Sequence, residues 1–311
     1  MEYFRALRAV VVTSCFLGVG LLGGQTAAAE NLFGSDEGKF LLTAGFNDLE
    51  GSGGGGLVPL AFITGYGSSD SWGANAHFTS IQLKDFQLRT YGAAVGALDR
   101  VELSYTRHEF NVTGTPLDGL GVSQDILGLK IKLLGDAVYD QDSWLPQICV
   151  GAEYHKNDGI DHAAQAGLAG VTRVTQLGAS AAHGTDIYLA ATKIFLAESL
   201  VVNAAVRATR ANEFGLLGFG GDRKSSDSYE PEGTIAWLPT RRLAVGSEIR
   251  TRPRNLTLDD ESTAYDVFVG WTPTKNLSLV AAWLNLGGVL GPATGVTRHQ
   301  DGPYLSIQAG F

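Results

Sequence analysis

Leu127, Leu129, Ile131 and Leu133 alternate with Gly128, Lys130 and Lys132 in one short run. Successive side chains of a strand point to opposite faces, so this run has one apolar face and one charged face. The same two-residue period returns along most of the chain. Trp72, Ala74, Ala76 and Phe78 oppose Asn75, His77 and Thr79. Val101, Leu103 and Tyr105 oppose Glu102, Ser104 and His108. Ile148, Val150, Ala152 and Tyr154 oppose Cys149, Gly151, Glu153 and His155. Val202, Ala204, Val206 and Ala208 oppose Asn203, Ala205, Arg207 and Thr209. The last run sets Leu305, Ile307, Ala309 and Phe311 against Tyr304, Ser306, Gln308 and Gly310. Further strands are predicted at residues 39–46, 60–66, 86–98, 185–195, 229–238, 243–250, 263–271 and 277–286. In residues 86–98, Arg89 and Tyr91 share a parity, which predicts a bulge. The total is about fourteen strands, with twelve to sixteen admissible.

The connections alternate long and short when counted back from Phe311. Residues 287–301, 251–262, 213–227 and 157–184 are long, and residues 273–276, 239–242 and 196–198 between them are short. Outer-membrane barrels have short periplasmic turns and longer outer loops, whereas a soluble sandwich has no reason to alternate. The pair Lys84-Asp85 breaks the rule, being tight where an outer loop is due. Two hairpins share one pattern, Trp237-Leu-Pro-Thr-Arg-Arg-Leu243 and Trp271-Thr-Pro-Thr-Lys-Asn-Leu277. Proline cannot donate to a ladder, so each marks a strand end, and the preceding tryptophan suits an aromatic girdle at the bilayer surface. Trp72, Tyr105, Tyr154 and Trp283 complete that girdle.

The pattern therefore predicts an all-β fold, a single antiparallel transmembrane β-barrel. Residues 302–311 should close it by pairing with residues 39–46. The terminal Phe311 reads as a signal to the outer-membrane assembly machinery. The run Gly51-Ser-Gly-Gly-Gly-Gly56 lacks the lysine of a phosphate loop and reads as a flexible connection. Leu168, Val171, Val174 and Leu177 recur at helical spacing, which predicts a short helix over or inside the mouth.

Composition sharpens this reading. Arg5 and Arg8, an apolar stretch and Ala27-Ala28-Ala29 form a secretory signal peptide over residues 1–29, leaving residues 30–311 as the barrel. The chain is 44% hydrophobic and 18% charged, yet no later stretch reaches the ~18 apolar residues of a spanning helix. An alternating barrel wall escapes such windows. With 23 Lys and Arg against 32 Asp and Glu, the net charge of −9 argues against nucleic acid as a partner. Cys149 is the only cysteine after residue 29, which excludes a disulfide framework.

Charge facing lipid at mid-bilayer costs about 2–4 kcal/mol, so the charged parity should face the lumen. That assigns Glu102, His108, Lys130, Lys132, Glu153, His155, Arg207, Glu230, Glu232, Glu248, Arg250 and Asp266 to the lumen. Such a lining suits a porin-like channel for a small solute or ion. The alternative is a closed lumen cross-linked by salt bridges, in a structural or interaction barrel. A third reading, an outer-membrane hydrolase, rests on Asp158, Asp161 and His162 in the longest loop, but no G-x-S-x-G or H-E-x-x-H accompanies them. His77, His108 and His155 are scattered over three strands and read as polar lumen residues, so neither a metal nor a cofactor is expected. The expected partners are the bilayer, the assembly machinery and the solute.

Four stretches resemble one uncharacterised bacterial family. They are Gly38-Lys-Phe-Leu-Leu-Thr-Ala-Gly45, Tyr91-Gly-Ala-Ala-Val-Gly-Ala-Leu-Asp-Arg-Val-Glu-Leu-Ser104, Asp125-Ile-Leu-Gly-Leu-Lys-Ile-Lys132 and Gly135-Asp-Ala-Val-Tyr-Asp-Gln-Asp-Ser-Trp-Leu-Pro-Gln-Ile148. The family is a domain of unknown function with an outer-membrane barrel expectation. The resemblance implies location in a Gram-negative outer membrane and the barrel fold, and brings no site residues.

Overall fold

The computed structural model describes residues 45–65, 71–113, 115, 117–291 and 294–311. Its strands are β1 (Trp72–Gln82), β2 (Phe86–Ala97), β3 (Val101–Val112), β4 (Gly121–Leu134), β5 (Gln147–Asp161), β6 (Ala179–Ala181) and β7 (His183–Phe195). They continue as β8 (Leu200–Thr209), β9 (Phe219–Gly221), β10 (Ser228–Thr240), β11 (Leu243–Arg250), β12 (Ala264–Thr274), β13 (Leu277–Gly287) and β14 (Gln300–Gly310). All except β6 and β9 join one closed antiparallel barrel of twelve strands. The short β6 and β9 pair with each other instead.

The two-residue period sets the wall. Inward positions mix small and polar residues with buried apolar ones such as Ile81, Phe86, Ile126 and Leu284, and outward positions carry Leu103, Leu129, Ile187, Ile235, Val267 and Leu305, all exposed. A continuous exposed apolar belt of this kind is a bilayer-facing surface. Closure of the sheet leaves no edge, so every backbone group at membrane depth finds a partner. Trp72, Trp237, Trp271 and Trp283 all project from the wall, each about half exposed. The two W-x-P-T hairpins are also structural repeats. Each carries a register shift between its tryptophan and the threonine three residues on. In each, that threonine's hydroxyl accepts the backbone N–H two residues later.

The seam differs from the expectation. β14 pairs with β1, setting Ile307 against Phe78 and Ala309 against Ala76, not with residues 39–46. Residues 39–44 of that expected strand, like the expected signal peptide, lie outside the described residues, and Gly45 and Phe46 are not in a strand. The expected strand at 60–66 is also absent over residues 60–65. Removing these two from fourteen gives the twelve observed. Phe311 N–H and C=O bond to Ala74, and its ring meets Trp72 edge-on at 5.3 Å. β2 alternates without a bulge, so Arg89 and Tyr91 both face outward. In the tight β1–β2 turn, the Asp85 carboxylate accepts Thr297 N–H at 2.6 Å and Gln300 Nε2 at 2.7 Å, tying the turn to a neighbouring long loop.

A barrel of eight strands is filled by its own side chains, and one of sixteen keeps a water channel. Twelve fall between, and here the space is filled by residues 45–65. The expected flexible glycine run lies within this plug. Leu49, Leu57, Val58, Ala61 and Ile63 of the plug are at most 1% exposed.

Candidate functional site

The plug folds on its own backbone first. The Asp48 carboxylate accepts N–H bonds from Glu50 and Ser52, both at 3.0 Å, and Leu49 N–H reaches Gly56 C=O at 2.9 Å. Gly51 sits at φ +96°, a conformation that L side chains rarely adopt. A Cβ on Gly55 would stand 1.8 Å from Glu248 Oε1, so glycine lets the wall approach the plug main chain.

The wall then grips that main chain with charged groups. Glu102 Oε1 accepts Gly53 N–H and its Oε2 accepts Thr64 N–H, each at 2.8 Å. Lys130 Nζ donates to Gly53 C=O at 2.6 Å and Phe62 C=O at 2.9 Å, and pairs with Glu102 at 3.1 Å. Glu248 Oε2 accepts Gly56 and Leu57 N–H at 2.6 and 2.7 Å. His108 Nε2 bonds Leu49 C=O at 2.7 Å. A carbonyl only accepts, so Nε2 carries the proton and Nδ1 accepts from Gln124 at 3.0 Å. Lower down, Ala61 is held by Gln147, Cys149 and Thr192.

An ionic centre lies at the long-loop half of the lumen. Arg207, fully buried, meets Glu232 at 2.6 Å, Glu153 at 2.5 Å and Glu50 at 3.3 Å. Arg250 binds Glu50 at 2.6 Å and Glu232 at 3.2 Å, and lies over the Phe214 ring at 4.6 Å. Asp186 stands beside them, its Oδ1 accepting Thr209 Oγ1 at 2.7 Å. Burying ion pairs seldom adds net stability, but removing one partner leaves a stranded charge. The short-turn half is different. There the plug leaves a cavity of about 100 Å³, lined by Phe46, Phe62, Ile194, Val201, Leu238 and Phe268 among others.

Outer loops cap the plug. Phe214, Leu216, Leu217, Phe219 and Leu256 are buried above it. Arg252 joins three loops, pairing with Glu213 at 2.6 Å and donating to the carbonyls of Ser262, Leu286 and Gly288. Glu213 N–H also bonds Glu261. Burial pushes the Glu213 carboxyl up to about 7, and burial together with Glu213 holds Glu261 well above the usual range. Residues 162–182 stay at this rim. Of the expected helix only a single 3₁₀ turn, Val174–Leu177, forms.

Eleven of the twelve residues assigned to the lumen are buried: Glu102, His108, Lys130, Lys132, Glu153, His155, Arg207, Glu232, Glu248, Arg250 and Asp266. Glu230 is half-buried near the top of β10, bonded to Thr251. Lys132 is set apart, paired with Asp99 at the short turns. Tyr105 departs from the girdle assignment, being 6% exposed. Its hydroxyl meets Asp125 at 2.9 Å, inside an outer-wall ion cluster where Arg107 pairs with Asp125 and Asp158. That pairing occupies one of the three proposed hydrolase residues, while Asp161 and His162 are exposed at the top of β5. Asp48, Glu50 and Asp186 were not anticipated. Asp186 shares its parity with Tyr188 and could have been read inward. Asp48 and Glu50 lie in a stretch without period, so no signal marked them.

The description "Protein of unknown function (DUF3034)" belongs to a family whose profile matches residues 43–308. The chain belongs to that family. Among curated proteins no significant sequence match is found. Solved structures with similar outlines include a KdgM porin, at 10% identity and TM-score 0.46 over 76% of this chain and 99% of that one. A NanC porin gives 9% identity and TM-score 0.46 over 76% and 98%. Outer membrane phospholipase A from Escherichia coli gives 9% identity and TM-score 0.40 over 79% and 94%. Scores this low add nothing to the barrel, which rests on its own strand pairing.

Proposed function

We propose that this DUF3034 protein is an outer-membrane conduit for a small solute or ion, closed at rest by residues 45–65 and opened when that plug moves. In this reading residues 1–29 direct export and strand β14 engages the assembly machinery. The observation that carries it is the chemistry of the wall–plug contact. The wall holds the plug through carboxylate, amine and imidazole bonds to main-chain groups of a glycine-rich segment. Those wall groups would be well solvated in an open lumen, so release exchanges hydrogen bonds with protein for hydrogen bonds with water. A permanently closed barrel is more cheaply filled with apolar side chains.

The test is conductance in planar bilayers, comparing the intact protein with a variant lacking residues 47–63. Heat-modifiable gel mobility would confirm that both are folded. The intact protein should be closed for most of the recording, and the deletion variant should give long-lived current steps. A folded deletion variant without steps would favour the structural barrel with a closed lumen. The hydrolase reading has only exposed Asp161 and His162 to build on, and the conduit reading assigns them no role.

A further inference from the structure

We propose that Glu50, His155 and Asp186 form a binding site for one divalent transition-metal ion of the zinc class, at the junction of plug and wall. Glu50 Oε1 lies 3.9 Å from His155 Nε2, and Asp186 Oδ2 lies 4.0 Å from the same nitrogen. One ligand atom from each residue falls within 4.8 Å of the other two. Zinc bonds of about 2.0–2.1 Å in a tetrahedron place ligand atoms about 3.3–3.4 Å apart. Each side chain therefore has to move by only about half an ångström to close on an ion.

An acidic cluster alone would not justify the assignment. The second observation is His155. Its side chain is fully buried, yet neither ring nitrogen has a hydrogen-bond partner. Asp186 Oδ2 is buried without a hydrogen bond as well, with Arg207 no nearer than 3.8 Å. Buried polar atoms are ordinarily satisfied, and an orphaned nitrogen facing orphaned carboxylate oxygen is the arrangement a cation completes.

Local charge points the same way. Five buried carboxylates, Asp48, Glu50, Glu153, Asp186 and Glu232, share this region with two guanidinium groups, Arg207 and Arg250. Lys130 is already committed to Glu102. Carboxyl groups thus outnumber the cations around them, and a bound divalent ion would offset the charge of those it ionises.

The ligand types choose the ion. One imidazole and two carboxylates suit zinc or a neighbouring transition metal, whereas calcium and magnesium prefer all-oxygen shells of six or more. The surroundings are built to orient these groups. Thr209 holds Asp186 Oδ1, and Arg250 donates to both Glu50 oxygens, Nη1 to Oε2 at 2.6 Å and Nη2 to Oε1 at 3.1 Å. The Phe219 ring lies 5.6 Å from the His155 ring on the capped side. Such outer contacts fix ligand direction and raise affinity. His155 and Asp186 stand on adjacent strands, where Glu153 pairs with Asp186 and His155 with Gly184, so the wall supplies two ligands before the plug arrives. Glu50 then makes the ion a pin between the two parts. The site rests on these positions, whether or not the plug ever leaves.

The full-length mature chain would be refolded in detergent with zinc, passed through a desalting column and assayed for metal. A competing chromophoric chelator would give the affinity. The expected result is one zinc per folded chain. His155→Ala and Asp186→Asn should each weaken binding by about tenfold or more. His162→Ala, on the exposed loop, should leave it unchanged. Cobalt loading of the unaltered protein gives a readout independent of variant folding: X-ray absorption should show an imidazole nitrogen in the shell. No bound zinc, an oxygen-only cobalt shell, or affinity indifferent to both substitutions would each overturn the site.

Discussion

The two halves of the lumen are filled by opposite means. Toward the long loops, Arg207 and Arg250 bind carboxylates from the wall and from Glu50 of the plug. Toward the short turns, Phe46 and Phe62 of the plug face Ile194, Val201 and Leu238 across a cavity of about 100 Å³. The first half is dense, directional and costly to disturb. The second holds an apolar, loosely filled cavity, beside which Glu102 and Lys130 bond the plug main chain. The plug is therefore bound at both ends, by side-chain ion pairs at Glu50 and through its main chain at Gly53, Phe62 and Thr64. The difference predicts a larger cost of disturbance in the ionic half, where removing one partner strands a buried charge.

The strongest way to break the contrast is to strand a charge. Arg207→Met leaves Glu153, Glu232 and Glu50 short of a partner, and should cost about 3–5 kcal/mol. The check is the midpoint of heat-modifiable mobility. Ile194→Val, in the apolar half, should cost only about 0.5–1.5 kcal/mol. Equal midpoints for the two variants would erase the distinction.

How much of this was legible in the chain follows from the same physics. The wall was legible because burial on one face and bilayer on the other impose a two-residue period, as in Leu127 to Leu133. The hairpins at Trp237 and Trp271 were legible because proline has few places to go. The bulge expected in β2 failed because Arg89 and Tyr91 both tolerate the outer face near the long loops. The plug was not legible. It is bonded through its main chain, so its side chains carry no period, and its glycines look like a linker. Glu50 was invisible for that reason, although it connects both arginines. Tyr105 misled because a tyrosine on the outward parity can bury its hydroxyl against a neighbouring carboxylate.

A smaller effect should appear with pH in the cap. Burial raises the Glu213 carboxyl to about 7, above its value in the unfolded chain. A raised acid binds its proton more tightly when folded. Its contribution is complete below the unfolded value and is lost as pH rises through about 7. Hydrogen exchange in residues 212–219 should therefore quicken between pH 5 and pH 8 beyond the intrinsic rate increase, and Glu213→Gln should flatten that excess. An excess that falls with rising pH would contradict the assignment of Glu213.

The most direct measurement locks the plug to the wall. Cys149 Sγ lies 2.7 Å from Ala61 C=O, within a small buried cluster that also contains Ile63 and Tyr188. Ala61→Cys adds a second thiol beside it. Bilayer recordings would compare this variant oxidised and reduced, with disulfide formation verified by mass. The conduit account predicts occasional current steps from the reduced protein and none from the oxidised one, with steps restored by a reductant. Steps that persist unchanged through a verified disulfide would show that the plug is not the gate.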